Sequence, residues 1–198
     1  APRLSNICIE MLSTEFSQVC NNRFFALGCG NDATSGNYWN TFYEVPSIIR
    51  VTSEWTGVGS AENGHNIIAN NQIEYCCSPK EIWNSGAPSA SITGNIFGYI
   101  VNEADCGPNE LGEGALILSD SNDGGSGADV ILGSNVFGND FHNNGTSGSG
   151  AASIFAQGTS DLHISGNTFA VVSSSYAIQL SGSSLESVSI TGNSFRGN

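Results

Sequence analysis

Six segments of the chain share one pattern: an aliphatic residue, two spacers, an asparagine, one spacer, and then Phe or Ile. They are Val19–Phe24, Ile68–Ile73, Ile92–Phe97, Leu132–Phe137, Ile164–Phe169 and Ile190–Phe195. A short stretch with period-2 alternation of apolar residues precedes each segment, which predicts a strand. These strands are expected around Ile7, Ile49, Ile82, Leu116, Ile154 and Ile178. The chain is therefore predicted to consist of stacked repeats.

The unequal spacing of the repeats favours a solenoid, in which insertions are confined to loops. Successive repeat asparagines lie 24 to 49 residues apart. No intervening stretch reads as a useful amphipathic helix, and a propeller needs four strands per blade. The sequence thus predicts an all-β, right-handed parallel β-helix of about six coils, forming a single domain over residues 1–198.

The repeat residues are expected to stack in vertical columns, because neighbouring strands lie about 4.8 Å apart. One column consists of the final apolar residues: Phe24, Ile73, Phe97, Phe137, Phe169 and Phe195. Asparagine tolerates the left-handed conformation of a tight corner, and its amide donates and accepts along a stack. A structural asparagine ladder is therefore predicted at Asn22, Asn71, Asn95, Asn135, Asn167 and Asn193.

The corner segments Ile92–Phe97 and Ile190–Phe195 resemble the coil signature of the right-handed parallel β-helix superfamily. That superfamily includes pectate lyases, polygalacturonases and phage tailspikes. The resemblance covers about residues 5–198 and implies the fold. It leaves the activity open, because such proteins serve as lyases, hydrolases, epimerases, adhesins and inert shafts. The motifs of polygalacturonases, such as Gly-His-Gly and Arg-Ile-Lys, do not occur in this sequence.

The charge balance excludes two classes of partner. Lys and Arg number 5 against 18 Asp and Glu, which gives a formal net charge of −13 at pH 7. Nucleic acids and anionic membrane surfaces attract clustered Lys and Arg, so neither is expected as a partner. No run approaches the roughly 20 apolar residues of a membrane helix.

The two ends of the repeat array suggest association. The first predicted strand begins near Ile7, and the last repeat closes at Phe195. An open solenoid end exposes strand edges and an apolar cross-section. Two explanations compete: the chain is an excerpt of a longer protein, or subunits stack end to end in a fibre. Capping by residues 25–47 is a third.

The cysteines favour an oxidising, extracellular or surface location. There are six, at Cys8, Cys20, Cys29, Cys76, Cys77 and Cys106. An even count in an acidic, Lys-poor chain suggests disulfides, with Cys76 or Cys77 bonded to Cys29 or Cys106 as the favoured pairing. The alternative is that Cys8 or Cys20 simply packs as a small apolar residue. Without a CxxC pair, no zinc site is predicted.

An exposed apolar stripe is expected on the outside of the first strand of each coil. The outward residues there are predicted to include Cys8, Arg50, Trp83, Ile117 and Phe155. On consecutive coils, Trp83, Ile117 and Phe155 would form a continuous contact strip, with Arg50 beside it. A lateral contact between subunits, cover by a long loop, and a platform for sugar rings all remain open.

Carboxylates are concentrated between Glu103 and Asp140. Glycoside hydrolysis needs two carboxyl groups about 5–10 Å apart. Asp120 with Glu113 or Asp140 is the candidate catalytic pair. A solvated surface is the plainer alternative, and a Ca²⁺ site at Asp120, Asn122 and Asp123 is another. No other metal and no cofactor are predicted.

Two functions follow from these observations. The first is a rigid extracellular solenoid module of a fibre, tailspike or adhesin, with a structural or attachment role that would extend to glycans. Its partners would be further copies of itself, stacked end to end or side by side. The second is a polysaccharide hydrolase or lyase that uses the loop carboxylates.

Overall fold

The computed structural model describes much of the repeat array. The described residues are 8–12, 16–25, 29–30, 41–42, 47–52, 64–74, 76, 80–85, 89–98, 114–118, 131–144, 152–171, 176–182 and 185–197. Within these ranges the secondary structure consists of strands and turns, without a helix. Of the predicted site residues, Cys77, Cys106, Glu113 and Asp120 lie outside them.

Three parallel six-stranded sheets form the body of the molecule. With strands numbered in chain order, sheet A contains β1 (Ile9–Leu12), β6 (Ile49–Thr52), β9 (Lys80–Ser85), β12 (Gly114–Leu118), β16 (Ala152–Gln157) and β20 (Tyr176–Ser181). Sheet B contains β2 (Gln18–Cys20), β7 (Ile67–Ala69), β10 (Ser91–Thr93), β14 (Asn135–Phe137), β18 (His163–Ser165) and β21 (Ser189–Thr191). Sheet C contains β3 (Arg23–Phe25), β8 (Gln72–Glu74), β11 (Ile96–Gly98), β15 (Asp140–Asn144), β19 (Thr168–Val171) and β22 (Ser194–Gly197).

Each coil contributes one strand to each sheet, so the chain passes through the three sheets six times. Two smaller pairings lie outside this body. Strand β13 (Ile131–Leu132) pairs with β17 (Thr159–Ser160) in parallel, and β4 (Cys29–Gly30) pairs with β5 (Thr41–Phe42) in antiparallel fashion. The predicted all-β parallel solenoid of about six coils is confirmed. The right hand of the coil stays a prediction.

The register of sheet A aligns one aliphatic residue from every coil. Ile49, Ile82, Leu116, Ile154 and Ile178 are successive partners, as the sequence predicted. In the first coil, however, the partner of Ile49 is Ile9 and not Ile7. The prediction was two residues out of register there, because the first coil is shorter between this strand and its asparagine corner than the sixth. Ile7 itself lies outside the described residues.

The interior is a continuous apolar core that follows the coil axis. It includes the sheet A aliphatics together with Val19, Ile68, Ile92, Val136 and Ile164 from sheet B. On sheet C, the rings of Phe97, Phe141, Phe169 and Phe195 stack face to face, with centroids 4.7, 4.9 and 5.2 Å apart. Their planes differ by 9° or less. Stacking at the strand spacing keeps every ring in contact with the next coil.

The corner between sheets B and C has the same length in every coil. Two residues separate the two strands each time. The first of them has positive φ in all six coils: Asn21, Asn70, Gly94, Gly138, Gly166 and Gly192. Glycine and asparagine are the residues that adopt this conformation at least cost. The left-handed residue is thus the one before the ladder asparagine. The prediction that the ladder asparagine itself adopts this conformation is wrong.

The second corner residue forms a hydrogen-bonded asparagine ladder. Its members are Asn22, Asn71, Asn95, Asn139, Asn167 and Asn193. The backbone N–H and side-chain Nδ2 of each donate to Oδ1 of the next, over 2.9–3.0 Å. From the second coil onward, Nδ2 also donates to a carbonyl of the preceding coil, as from Asn95 to the Ile68 oxygen at 2.9 Å. An interior ladder residue therefore ties together three coils.

Asn135 is not part of the ladder, and the prediction for this residue is wrong. Asn139 takes its place, and Phe141 takes the stacking position predicted for Phe137. Asn135 lies on the exterior of sheet B, paired with Ser91 and His163, and Phe137 is 57% exposed. The segment Val136–Phe141 carries the same pattern as Leu132–Phe137, four residues later. The earlier match falls at the corner between sheets A and B, where Gly133 also has positive φ.

The two asparagines of the fourth coil provide a direct test of the ladder. We expect Asn139→Ala to lower the free energy of unfolding by at least about 2 kcal/mol, because buried donors of Asn95 lose their acceptor. Asn135→Ala removes an exposed side chain and should change the free energy of unfolding by no more than about 0.5 kcal/mol. Urea titration followed by circular dichroism measures both. Equal losses in the two variants would contradict the ladder assignment.

Candidate functional site

The exterior of sheet A carries the predicted contact strip in the predicted order. Arg50, Trp83, Ile117 and Phe155 are register partners on four successive coils. In the first coil the position belongs to Glu10, and not to Cys8. This is the same two-residue shift as at Ile9. Sequence alternation therefore identified which side of the strand these residues occupy.

The strip is buried, so the expectation of an exposed stripe is wrong. Trp83, Ile117 and Phe155 are 8%, 1% and 6% exposed, and they form a second apolar cluster with Ala152. Pointing away from the coil axis is therefore not the same as facing solvent. These side chains are unavailable as a sugar platform or as a lateral contact.

Arg50 belongs to the packing at the edge of this cluster. Its guanidinium carbon lies 4.5 Å from the centroid of the Trp83 ring, and its Nη1 lies 3.4 Å from Glu10 Oε1. A guanidinium over an indole face gains from both the ring quadrupole and the ion pair. Arg50 therefore links the first three coils on the outside of sheet A.

Asp140 is the one predicted catalytic residue within the described part of the chain. It begins β15 on sheet C, where alternation with the buried Phe141 directs it outward. His142, two residues on, lies on the same side, and its Nε2 is 2.8 Å from Asp140 Oδ2. The imidazole donates a hydrogen bond to the carboxylate and is oriented by it. Glu113 and Asp120, the predicted partners of Asp140, lie outside the described residues.

A second carboxylate lies on the same exterior face, two coils away from this pair. Glu74 ends β8 on the same exterior face, and Gln72 Nε2 donates to its Oε2 at 2.8 Å. Gly98 of the third coil is the register partner of both Glu74 and His142. A Cβ on Gly98 would lie 3.1 Å from Glu74 Cγ and 3.3 Å from Glu74 Oε1. The absence of a side chain at Gly98 thus lets Glu74 extend over the third coil.

We call Gln72, Glu74, Asp140 and His142 the sheet C polar patch. It presents two carboxylates, each with its own hydrogen-bond donor, around the partly exposed Ile96. The strands of the second and fourth coils lie about 9.6 Å apart, and Glu74 extends over Gly98 of the third coil between them. Carboxylates, an amide and an imidazole can bind hydroxyl groups or exchange protons with them.

No pattern in the sequence pointed to Glu74 and Gln72. Their relation to Asp140 depends on the register of three coils and on the missing side chain at Gly98. As for metal ions, the described residues include no group of three or more His, Cys, Asp or Glu side chains placed to hold one. The Ca²⁺ alternative at Asp120, Asn122 and Asp123 falls outside the described ranges.

The cysteine prediction is corrected where the structure describes the side chains. Cys8, Cys20 and Cys76 carry thiols and form no disulfide. Cys76 is fully buried in the apolar core, and its Sγ donates to the Glu74 carbonyl oxygen at 3.4 Å. It packs as a small apolar residue, which the sequence had suggested for Cys8 or Cys20 and not for Cys76. Cys29 lies in β4, outside the residues with a described side chain, and Cys77 and Cys106 lie outside the described residues.

Comparison with protein-family models, with curated proteins and with solved structures finds no significant match. The three parallel six-stranded sheets define the class of the protein, which is the parallel β-solenoid. In the part of the chain that is described, no helix is long and apolar enough to cross a membrane.

Burial of the strip leads to a stability prediction. We expect Trp83→Ala to destabilise the fold by about 3–5 kcal/mol, since it leaves a cavity under a covered face. Phe137→Ala, at a position that is 57% exposed, should cost no more than about 1 kcal/mol. Chemical denaturation measures the two free energies. A Trp83 variant as stable as the parent protein would show that the strip is open to solvent after all.

Proposed function

We propose that the chain is a rigid extracellular solenoid module of a fibre, tailspike or adhesin. The observation that carries this proposal is the asparagine ladder, which continues unbroken through all six coils. Together with the stacked rings it ties the six coils into one body, with strands extending over about 24 Å. A structural or attachment role needs such a body. Membership of the pectate lyase-like superfamily is part of this proposal and depends on the corner motifs.

The sixth coil offers a surface for association. Its inward residues Leu180, Ile190 and Phe195 are 37%, 42% and 57% exposed, whereas their register partners Ala156, Ile164 and Phe169 are fully buried. A further coil placed on this face would bury them. We propose that a second copy of the chain supplies that coil, because apolar burial contributes about 25 cal/mol per Å².

The direction of the ladder favours a head-to-tail contact. In the first five coils, the backbone N–H and Nδ2 of the ladder residue donate to the next coil. By the same pattern, the backbone N–H and the second Nδ2 hydrogen of Asn193 would donate to a further coil, since one Nδ2 hydrogen already donates to the Ile164 oxygen. At the other end Asn22 is exposed, and ladder oxygens in later coils accept from the coil before them. Head-to-tail stacking continues this direction and, being a non-closing contact, generates fibres.

Two equally exposed phenylalanines allow a matched test of association. Phe195 and Phe137 are both 57% exposed, but Phe195 belongs to the sixth-coil face and Phe137 to the side of sheet B. We expect Phe195→Ser to raise the concentration needed for assembly at least tenfold and Phe137→Ser to leave it unchanged. Analytical ultracentrifugation and negative-stain microscopy of the 198-residue chain measure this. Monomers at every concentration, or dimers that grow no further, would refute fibre formation.

A second candidate function is the cleavage of polysaccharides, by hydrolysis or by a lyase reaction. The sheet C polar patch favours it. Glu74 and Asp140 are two carboxylates with different hydrogen-bond partners on one exterior face. One carboxyl group could protonate the leaving oxygen while the other activates water. With a net charge of −13, the protein would repel polyanionic chains, so a neutral polysaccharide fits better.

Hydrolase activity can be tested with isosteric substitutions. We expect Asp140→Asn and Glu74→Gln each to reduce the release of reducing ends from neutral polysaccharides by a factor of about 100 or more. Glu186→Gln, at an exposed position away from the patch, serves as the control and should leave the rate unchanged. If the parent protein releases no sugar from any neutral polysaccharide, the second candidate function is excluded for that class of substrate.

A further inference from the structure

Glu81 occupies an interior position of the third coil. It immediately precedes Ile82, whose register partners are Ile49 and Leu116. The equivalent residues of the second and fourth coils, Ile48 and Ala115, belong to the apolar core. In the sixth coil, Ala177 packs against the same core. The Glu81 side chain is therefore placed in an apolar column, and it is fully buried.

Among the residues that the structure describes, the carboxyl group of Glu81 has no hydrogen-bond partner. Neither Oε1 nor Oε2 is paired, and both atoms are inaccessible to solvent. The fifth-coil residue of the same column, Ser153, is also buried with an unpaired Oγ, and the small Ala115 lies between them. Transfer of an ionised carboxylate into such surroundings costs far more than transfer of the neutral acid.

The described side chains of the neighbouring strands place no compensating charge beside Glu81. The only titratable residue in β6 is Arg50, which lies on the outside over Trp83 and pairs with Glu10. Strand β12 carries no titratable residue, and neither do the other third-coil strands, β10 and β11. Lys80, which begins β9, lies outside the residues whose side chains are described. Burial accordingly raises the pKa of the Glu81 carboxyl well above its ordinary range.

The sign of the resulting pH dependence follows from proton binding. In the unfolded chain Glu81 ionises at the ordinary pKa of a glutamate, whereas in the folded chain it keeps its proton to a higher pH. Its contribution to stability is therefore complete below the unfolded pKa. It is lost progressively as pH rises from the unfolded towards the folded value.

We propose that Glu81 is a built-in pH switch that makes the solenoid strongest in mildly acidic surroundings and loosens it from the third coil as pH rises. The overall charge acts in the same direction. The net charge is −13 at pH 7, and its magnitude decreases to zero near the pI of about 4.2. Repulsion between the charges of the chain therefore also declines on acidification. This inference does not depend on the fibre proposal, because it concerns the stability of a single chain.

The test compares unfolding equilibria between pH 4.5 and pH 8 for the parent chain, Glu81→Gln and Glu186→Gln. Glu186 is an exposed glutamate, so its variant replaces a carboxyl group by the same amide without touching the core. For the parent chain and Glu186→Gln, we expect the unfolding constant to rise by up to tenfold per pH unit above the unfolded pKa. Glu81→Gln should lack this component and be the most stable of the three at pH 8. Parallel profiles for all three proteins would overturn the proposal.

Two further measurements keep the proposal testable if Glu81→Gln folds poorly. Glu81→Met fills a similar volume without a polar group and should give the same loss of pH dependence. Infrared difference spectra of the folded parent chain should show a protonated carboxyl band at pH 6–7 that is absent from the Met variant. An unchanged spectrum in that variant would show that Glu81 is ionised in the folded chain.

Discussion

The hydrogen bond from one corner asparagine to the next is the interaction on which the rest of this molecule depends. A strand of three residues cannot hold its register by backbone pairing alone, and most strands of sheets B and C have that length. The ladder amides fix the height of every coil at the corner between these two sheets. This alignment of the coils also brings the stacked rings, the aliphatic columns and the exterior side chains of successive coils into register. The position of Glu74 relative to His142 is one outcome of that alignment.

Much of the fold could be predicted from the sequence because every coil of a solenoid repeats the same sequence pattern. Alternation identified the inward residues of sheet A in five coils, and the asparagine spacing identified five of the six ladder positions. The fourth coil was misread because two overlapping frames match the pattern equally well. Only pairing with the coils above and below distinguishes Asn139 from Asn135, and that information is not local. The shorter first coil produced the shift from Ile7 to Ile9 for a similar reason.

The candidate site was harder to predict, since function depends on what lies over a strand as well as on the strand itself. Periodicity placed Trp83 and Phe155 outside the coil but could not show that the face is covered. Glu74 joins Asp140 and His142 only through a glycine of the intervening coil. Glu81 precedes an alternating apolar pattern and resembles an ordinary surface residue, although it lies at a position taken by Ile48 and Ala115 in neighbouring coils. Cysteine count likewise did not reveal that Cys76 packs as a core thiol.

The constant corner between sheets B and C has a consequence for how such a chain can diversify. That corner has two residues in every coil, while the connections from sheet C to sheet A and from sheet A to sheet B differ widely in length. The length of the connection thus varies at two corners of the coil and is constant at the corner between sheets B and C. Related proteins could therefore differ in entire surface loops, and with them in their binding properties, while the asparagine ladder stays the same. An engineer could graft foreign peptides at the same two corners.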